Sequence, residues 1–247
     1  MSPDAAHPAP LAVIAANDNA RWCAAVARAH GIAAASTPWG WRARAAMPDG
    51  YPEAVTLGPG AAAAEVAAAV PPGPASVKDS FADLDLRDAG FEVLLEGGWI
   101  ALESGGGGGG ELSGASGASG ASGASLAGAG APPLEPVRTA RALADWARAS
   151  GAVAAGHPAL LDDPAVVVLA ASDESGTVVA GGILSLGDDA VGVSNVFGRP
   201  GTYAAIAAAA AVRAEGRAVV GWESADLLAT AAAAGFVVVG PMRVWIR

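Results

Sequence analysis

The chain has 247 residues, enough for one or two domains, and its formal net charge of -10 argues against nucleic acid or an anionic membrane surface as a partner. Its single cysteine, Cys23, excludes disulfides and cysteine-based zinc sites within the chain. The first residues lack a positively charged segment, the apolar run Leu11–Ala16 is too short for a signal-peptide core, and no stretch is long enough to span a bilayer. The sequence therefore predicts a cytoplasmic protein.

A low-complexity segment, residues 104–133, divides the chain. It runs through six glycines and repeated Ser-Gly-Ala triplets and ends in Gly-Ala-Pro-Pro. Such a composition buries too little apolar surface to offset the entropy of the chain. The sequence therefore predicts a flexible linker between an N-terminal α/β unit, residues 1–103, and a second unit, residues 134–247.

The N-terminal unit is predicted to begin with a helix over Asn17–His30. Asn17 or Asn19 can cap this helix, and Gly31 can end it. The segment Thr37–Pro52 is predicted to be irregular. The elements predicted after it are a strand at Ala54–Leu57, an alanine-rich helix to Val70, a strand near Ser76–Phe81, a short helix at Ala82–Ala89 and a strand at Phe91–Leu102.

The second unit is predicted to begin with a helix that Thr139 caps and that ends at Ala149. Three strands separated by short turns follow and form an antiparallel meander. The predicted elements are strands at Ala165–Ala171, Thr177–Leu184 and Ala190–Phe197, a helix at Thr202–Glu215, a strand at Ala218–Glu223, a helix capped by Ser224 and ended by Gly235, and strands at Phe236–Val239 and Met242–Ile246.

The two units share four features in the same order: a Gly/Pro turn before an alanine-rich helix, a Ser and Asp-Leu helix start, an Ala-Gly-Phe step and a final Trp-Ile. The first copy has them at Gly58–Gly60, Ser80–Leu84, Ala89–Phe91 and Trp99–Ile100, and the second at Gly198–Gly201, Ser224–Leu227, Ala234–Phe236 and Trp245–Ile246. Coincidence in an Ala/Gly-rich chain is the alternative, but the shared order favours duplication of a β-α-β-α-β unit.

The order of elements over Val137–Arg247 resembles that of the GNAT N-acetyltransferase superfamily. The resemblance implies an α+β fold with a mixed, mainly antiparallel sheet flanked by helices, and the smaller N-terminal unit as a candidate reduced copy. It also implies acetyl-CoA as co-substrate, because the family binds it with the strand that corresponds to the last strand of the meander and with the loop after that strand. The implied cofactor-binding residues are Val193, Ser194, Asn195, Val196, Phe197, Gly198, Arg199, Gly201, Thr202 and Ser224.

The chain departs from this family at positions that bind the cofactor and take part in the reaction. The loop Gly198–Gly201 is shorter than the family's phosphate loop, and Pro200 removes one N–H donor. Ser224 stands where the family often has Asn, and Ala231 where it often has a Tyr that acts as general acid. Glu223 is the best candidate general base, with an ordinary solvated strand end as the alternative.

Other groups give weaker signals. Lys78, the only lysine, lies near Ser80 without a third partner, which argues against a Ser/Lys nucleophile. The three histidines have no metal-ligand spacing, so no metal site is predicted.

Three functions therefore remain open. The first is acetyl transfer from acetyl-CoA to a small-molecule or peptide amine, and the second is a catalytically inactive acyl-CoA-binding or protein-interaction module. The third is a purely structural pseudo-dimer that binds no ligand. The small size of each half predicts that the two pack on each other.

Overall fold

The structure is a computed structural model that describes residues 10–102 and 133–247. The linker predicted at residues 104–133 therefore lies, except for Pro133, outside the described residues. No helix in the described part of the chain is both long and apolar enough to cross a membrane.

The described residues form eleven strands and five α-helices. The strands are β1 (Ala34–Thr37), β2 (Gly40–Ala43), β3 (Ala54–Thr56), β4 (Ser76–Asp79), β5 (Glu92–Leu102), β6 (Glu135–Pro136), β7 (Val166–Ser172), β8 (Val178–Leu186), β9 (Ala190–Phe197), β10 (Ala218–Ser224) and β11 (Phe236–Ile246). The helices are α1 (Pro10–Ala29), α2 (Ala63–Ala69), α3 (Ala140–Ser150), α4 (Thr202–Ala214) and α5 (Leu228–Ala233).

Helix α1 starts seven residues before the predicted position, because its first turns bury small side chains against the sheet. Ala12, Ala15 and Ala16 pack into a core cluster with Trp99 and Met242. The predicted caps were wrong: Asn17 and Asn19 lie inside the helix, and the Asn17 side chain donates to the Val13 carbonyl at 2.8 Å. Gly31 has a φ of 71°, so the predicted helix end was right.

Two other predictions for the N-terminal unit were wrong. The segment thought irregular contains most of a β1–β2 hairpin, in which Ser36 faces Trp41. The helix predicted at Ala82–Ala89 is reduced to a 3-10 turn at Arg87–Ala89. The buried Asp79 carboxylate accepts the backbone N–H of Leu84 at 3.1 Å, and such side-chain bonds compete with helix formation.

In the second unit the predicted meander and the helix after it are confirmed, and Thr139 caps α3 by accepting the Ala142 N–H at 3.2 Å. Ser224 is not the cap of α5: it ends β10, its hydroxyl donates to Asp226, and α5 begins at Leu228. The two strands predicted at the end of the chain are one strand, β11, with an irregularity between Val238 and Gly240.

All eleven strands belong to one sheet, with the order β1-β2-β3-β4-β11-β5-β10-β9-β8-β7-β6. Only the β3–β4 and β9–β10 pairs are parallel, which confirms the predicted fold class. Helices α1 and α3 pack on one face, where Trp22 and Trp146 belong to the same cluster as Ile183. Helices α4 and α5 pack on the other face, where Ile206 and Ala231 meet Phe236.

The strand order is symmetric about the β5–β11 pair. Strand β5 pairs antiparallel with β10, which is parallel to β9; strand β11 pairs antiparallel with β4, which is parallel to β3. The last strand of each unit thus pairs with a strand of the other unit: β5 with β10, and β11 with β4. This arrangement supports the duplication seen in the sequence, and it makes one sheet from both halves.

Asp18 attaches helix α1 to the meander. Its buried carboxylate accepts the Ser185 hydroxyl at 2.8 Å and pairs with Arg21 at 3.3 Å. Gly192 allows this approach, because a Cβ there would overlap the Asp18 carboxylate. Burial raises the pKa of Asp18 from 3.8 to about 6, against the opposing effects of Ser185 and Arg21.

The stability of the fold should therefore depend on pH through Asp18. Because the folded-state pKa is raised, the stabilising contribution of this carboxyl is complete below about pH 4 and is lost as the pH rises through about 6. Relative to Asp18→Asn, the wild-type free energy of unfolding should fall by up to about 3 kcal/mol between about pH 4 and pH 7. Urea unfolding of both proteins measures the difference, and parallel pH curves would contradict the assignment.

Candidate functional site

The candidate site lies where strands β9 and β10 stop pairing. Their parallel ladder runs from Ala190–Ala218 to Val193–Gly221 and goes no further among the described residues. Strand β10 continues beside β5, with Trp222 opposite Trp99 and Glu223 opposite Gly98. A gap therefore opens between the second half of β9 and the end of β10.

A bulge in β9 produces this separation. Across the β8–β9 pair, Gly181 faces Phe197 but Ile183 faces Ser194, so β9 holds one extra residue there. Asn195 has a φ of 53°, in the left-handed region, which is uncommon for a residue other than glycine. The bulge turns β9 away from β10 and leaves its backbone facing the gap.

A cavity of about 230 Å³ occupies the gap. Its walls come from both halves of the chain: helix α1, the segment Gly50–Pro52, strand β4, the β9 bulge and the end of β10. The lining residues are Asn19, Trp22, Cys23, Gly50, Tyr51, Pro52, Lys78, Ser194, Asn195, Val196, Trp222, Glu223 and Leu227.

Glu223 carries the carboxylate of this cavity. The Tyr203 hydroxyl, on the first turn of α4, donates to its Oε1 at 2.8 Å. Burial raises the pKa of Glu223, while the Tyr203 hydrogen bond acts in the opposite direction. The pair combines a carboxylate of increased proton affinity with a phenol, and it fixes the start of α4 over the end of β10.

Lys78 and Cys23 also reach the cavity, from β4 and α1. The Lys78 Nζ lies 3.8 Å from the centre of the Trp222 ring, and only 4% of the residue is exposed. Burial lowers the pKa of Lys78 to about 8 and raises that of the Cys23 thiol to about 11. The thiol is therefore a poor nucleophile at neutral pH.

The loop between β9 and α4 places an uncapped helix N-terminus beside the gap. Gly201, with a φ of 86°, is the N-cap of α4 and provides no side-chain hydrogen bond. Thr202 was expected at the cap but is the first helical residue, and its hydroxyl donates to the Arg199 carbonyl at 2.7 Å. Arg199 itself is exposed. An N-terminus of this kind offers free N–H groups and a positive dipole end to an anion.

The corresponding region of the N-terminal unit is closed. Beyond the β3–β4 pair, the Ser80 N–H donates to the Thr56 hydroxyl at 2.9 Å, and both residues are fully buried. In the loop before α2, the Gly60 N–H donates to the Asp83 carboxylate at 2.7 Å. A carboxylate already holds this loop, so the second unit provides the better anion site.

Two solved structures are similar to almost the whole chain. A protein assigned to the GNAT family of acetyltransferases from Novosphingobium aromaticivorans DSM 12444 is 12% identical, with 94% of this chain and 97% of that chain covered and a TM-score of 0.55. A GCN5-related N-acetyltransferase from Kribbella flavida is 16% identical, with 94% and 95% covered and a TM-score of 0.54.

The chain has the GNAT fold. Comparison of the sequence with protein-family models and with curated proteins finds no match. The resemblance seen in the order of elements over Val137–Arg247 is therefore confirmed at the level of fold, and it extends over both units. Activity and substrate do not follow from the fold.

The structure brings some of the predicted site residues together. Ser194, Asn195, Val196 and Glu223 line the cavity. Val193 is the last β9 residue paired with β10.

The other predicted residues lie outside the cavity. Phe197 packs edge-on against Trp146, with ring centres 5.6 Å apart. Gly198, Arg199 and Gly201 lie in the loop before α4, and Thr202 is the first residue of that helix. Ser224 interacts with Asp226 beyond the end of the gap.

Three residues at the site, Tyr203, Tyr51 and Lys78, were not predicted as site residues from the sequence. Ala231 stands at the position where the family often has its general-acid tyrosine, which suggested that the site has no phenol. Tyr203, on the first turn of α4, nevertheless places a phenol there. The rarity of these residue types could have pointed to them. The chain has two tyrosines and one lysine, and all three lie at this gap.

The loop geometry predicts unequal costs for two glycine substitutions. Gly198 and Gly216 both have positive φ, but a Cβ at Gly198 would lie within 2.5 Å of the Ala180 backbone, whereas one at Gly216 meets nothing within 4 Å. Gly216→Ala should cost about 1 kcal/mol of unfolding free energy. Gly198→Ala should cost about 1–3 kcal/mol more, because β8 and the loop must separate. Chemical denaturation measures both, and equal losses would show that the loop is not packed on β8.

Proposed function

We propose that the protein transfers an acetyl group from acetyl-CoA to an amine. The observation that carries this proposal is the gap between β9 and β10, with the Glu223–Tyr203 pair at one side and the uncapped start of α4 at its mouth. The GNAT fold adds support, because the two similar structures from Novosphingobium aromaticivorans and Kribbella flavida are named as acetyltransferases of this family.

The residues present fit acetyl-CoA as co-substrate. The start of α4 and the exposed Arg199 guanidinium suit a pyrophosphate, since backbone N–H groups and a cation both favour phosphate oxygens. The backbone of Ser194–Phe197, which has no partner strand on the gap side among the described residues, suits a thioester carbonyl. Bound there, acetyl-CoA supplies an activated acyl group.

Glu223 can serve as the general base. An attacking amine must lose a proton as its nitrogen bonds to the acyl carbon, and a carboxylate of raised pKa accepts that proton more readily. As the C–S bond breaks, the thiolate needs a proton, which the Tyr203 hydroxyl can donate and recover from Glu223 through their 2.8 Å hydrogen bond. The proton released by the amine thus ends on the thiol.

The second candidate is a catalytically inactive acyl-CoA-binding module. Pro200 removes one N–H donor from the loop, and Ala231 stands where the family often has its tyrosine. Binding of acetyl-CoA without turnover of any amine in a broad panel would favour this candidate. Tyr203 favours the catalytic candidate, because it supplies from α4 the phenol that is missing at position 231.

Substitutions in the α4 loop should weaken acetyl-CoA binding without unfolding the chain. Arg199→Ala removes a charge-assisted contact and should raise the Kd about tenfold or more. Gly201→Ala adds a methyl where phosphate approaches the backbone and should also raise it. Gly60→Ala is the matched control, because Gly60 has a similar positive φ in the N-terminal unit.

Calorimetric titration with acetyl-CoA measures all four proteins. Equal affinities in the wild type and Arg199→Ala would remove the arginine from the site. A loss with Gly60→Ala alone would show that the N-terminal unit binds the cofactor.

Substitutions at the acid–base pair should affect turnover and spare binding. Glu223→Gln should lower kcat about 100-fold or more, with the Kd for acetyl-CoA unchanged. Tyr203→Phe removes a hydrogen bond that lowers the pKa of Glu223, so the acidic limb of kcat/KM should move to higher pH. Thiol release in the presence of acceptor amines measures these rates. An unmoved acidic limb in Tyr203→Phe would show that Glu223 is not the group that titrates.

A further inference from the structure

Lys78, the only lysine in the sequence, is buried at the candidate site. Lys78 forms none of the ion pairs found among residues 10–102 and 133–247. Its Nζ rests instead on the Trp222 ring and lies 5.7 Å from the centre of the Trp99 ring. A buried ammonium group usually has a counter-charge, because removing it from water is costly.

Tyr51 provides a second buried polar group. The polar groups of Asn195 and Trp22 lie close to its hydroxyl, but no residue that the structure describes forms a hydrogen bond of ordinary geometry with it. A phenol donates one hydrogen bond and an ammonium donates three, so both groups can donate to a ligand in the cavity. A buried donor without an acceptor is unfavourable, so both groups favour a ligand that brings acceptors.

Lys78 and Tyr51 lie where two cavities meet. A second cavity, of about 580 Å³, shares Gly50–Pro52, Lys78 and Trp222 with the cavity at the β9–β10 gap. Its remaining wall is largely apolar and includes Met47, Leu94, Leu95, Val244 and Ile246. An acceptor substrate in this second cavity would therefore reach the β9–β10 gap by passing Lys78 and Tyr51.

The acidic groups of the second cavity do not neutralise Lys78. The Glu53 oxygens accept the backbone N–H groups of Met47 and Ser76, at 2.9 and 2.6 Å, and Asp49 is exposed. The Cys23 thiol and the Glu223 carboxyl both act to raise the pKa of Lys78, but neither forms an ion pair with it, and the Tyr203 hydroxyl donates to Glu223. Arg247 adds another cation to the cavity wall.

Building on the proposed function, we propose that the acceptor amine also carries a carboxylate, which Lys78 and Tyr51 bind, and that its apolar side chain occupies the second cavity. The carboxylate provides both the missing counter-charge and the missing hydrogen-bond acceptors. Its amine can then point toward Glu223 in the gap. An acceptor with cationic groups only would meet the Lys78 ammonium at short range, and like charges repel strongly in a buried site.

Direct binding tests this inference without any transfer reaction. The probes are the N-acetyl derivatives of phenylalanine, leucine and methionine, each compared with its neutral primary amide by calorimetry on the full chain. At least one acid should bind about tenfold or more tightly than its amide. Amides that bind as tightly as the acids, or no binding by any acid, would overturn the inference.

Variants then assign the preference to residues. Lys78→Met keeps the length and apolar stem of the side chain, so it should fold and should abolish the preference for the acid. Tyr51→Phe should reduce that preference by a smaller factor. Arg247→Met is the matched control: this cation also lines the second cavity, but it donates to the Pro71 carbonyl at 3.1 Å, and the preference should remain. Loss of the preference in Arg247→Met alone would overturn the assignment.

Turnover separates this inference from the proposed function. Free amino acids and their amides are compared as acceptors by thiol release from acetyl-CoA. Acids that bind without turnover would defeat the acetyltransferase and leave the carboxylate site standing. Equal turnover of acids and amides would support the acetyltransferase and overturn the carboxylate site. Mass spectrometry that finds an acetyl adduct on Lys78 would show that the lysine is itself the acceptor, which would overturn its role in binding a carboxylate.

Discussion

The end of the β9–β10 ladder at Val193 and Gly221 is the constraint on which the site depends. A parallel pair that continued would fill the space with backbone hydrogen bonds and leave no room for a ligand. The bulge at Asn195 prevents this by adding one residue to β9. Strand β10 stays in place because β5 pairs with it as far as Ser224. One strand therefore moves away while its neighbour is held, and a cavity results.

The exchange of final strands joins the two units at this point. Strand β5 comes from the N-terminal unit but supports β10 of the second unit, and β11 does the same for β4. The exchange brings β4 close enough for Lys78 to reach Trp222. Helix α1, attached through Asp18, closes the same face. The cavity is thus a product of both units, although its bulge and its helix N-terminus belong to the second.

The two units differ in a physically consistent way. In the N-terminal unit, Thr56 and Ser80 bond to each other where the second unit has a gap, and Asp83 holds the loop N–H of Gly60. These contacts stabilise the fold and remove an anion site. The second unit keeps its loop open and its strands apart.

The sequence by itself determined most elements of the second unit, the GNAT resemblance and the place of Glu223 at a strand end, because hydrophobic periodicity and turn residues act locally. It failed where distant contacts decide the structure. Helix α1 starts at Pro10 because its alanines find Trp99 and Met242, and Ala82–Ala89 is not helical because Asp79 takes the local N–H groups. Only the tertiary structure placed Lys78, Tyr51 and Tyr203 around one gap, since strand exchange brings together residues far apart in the chain.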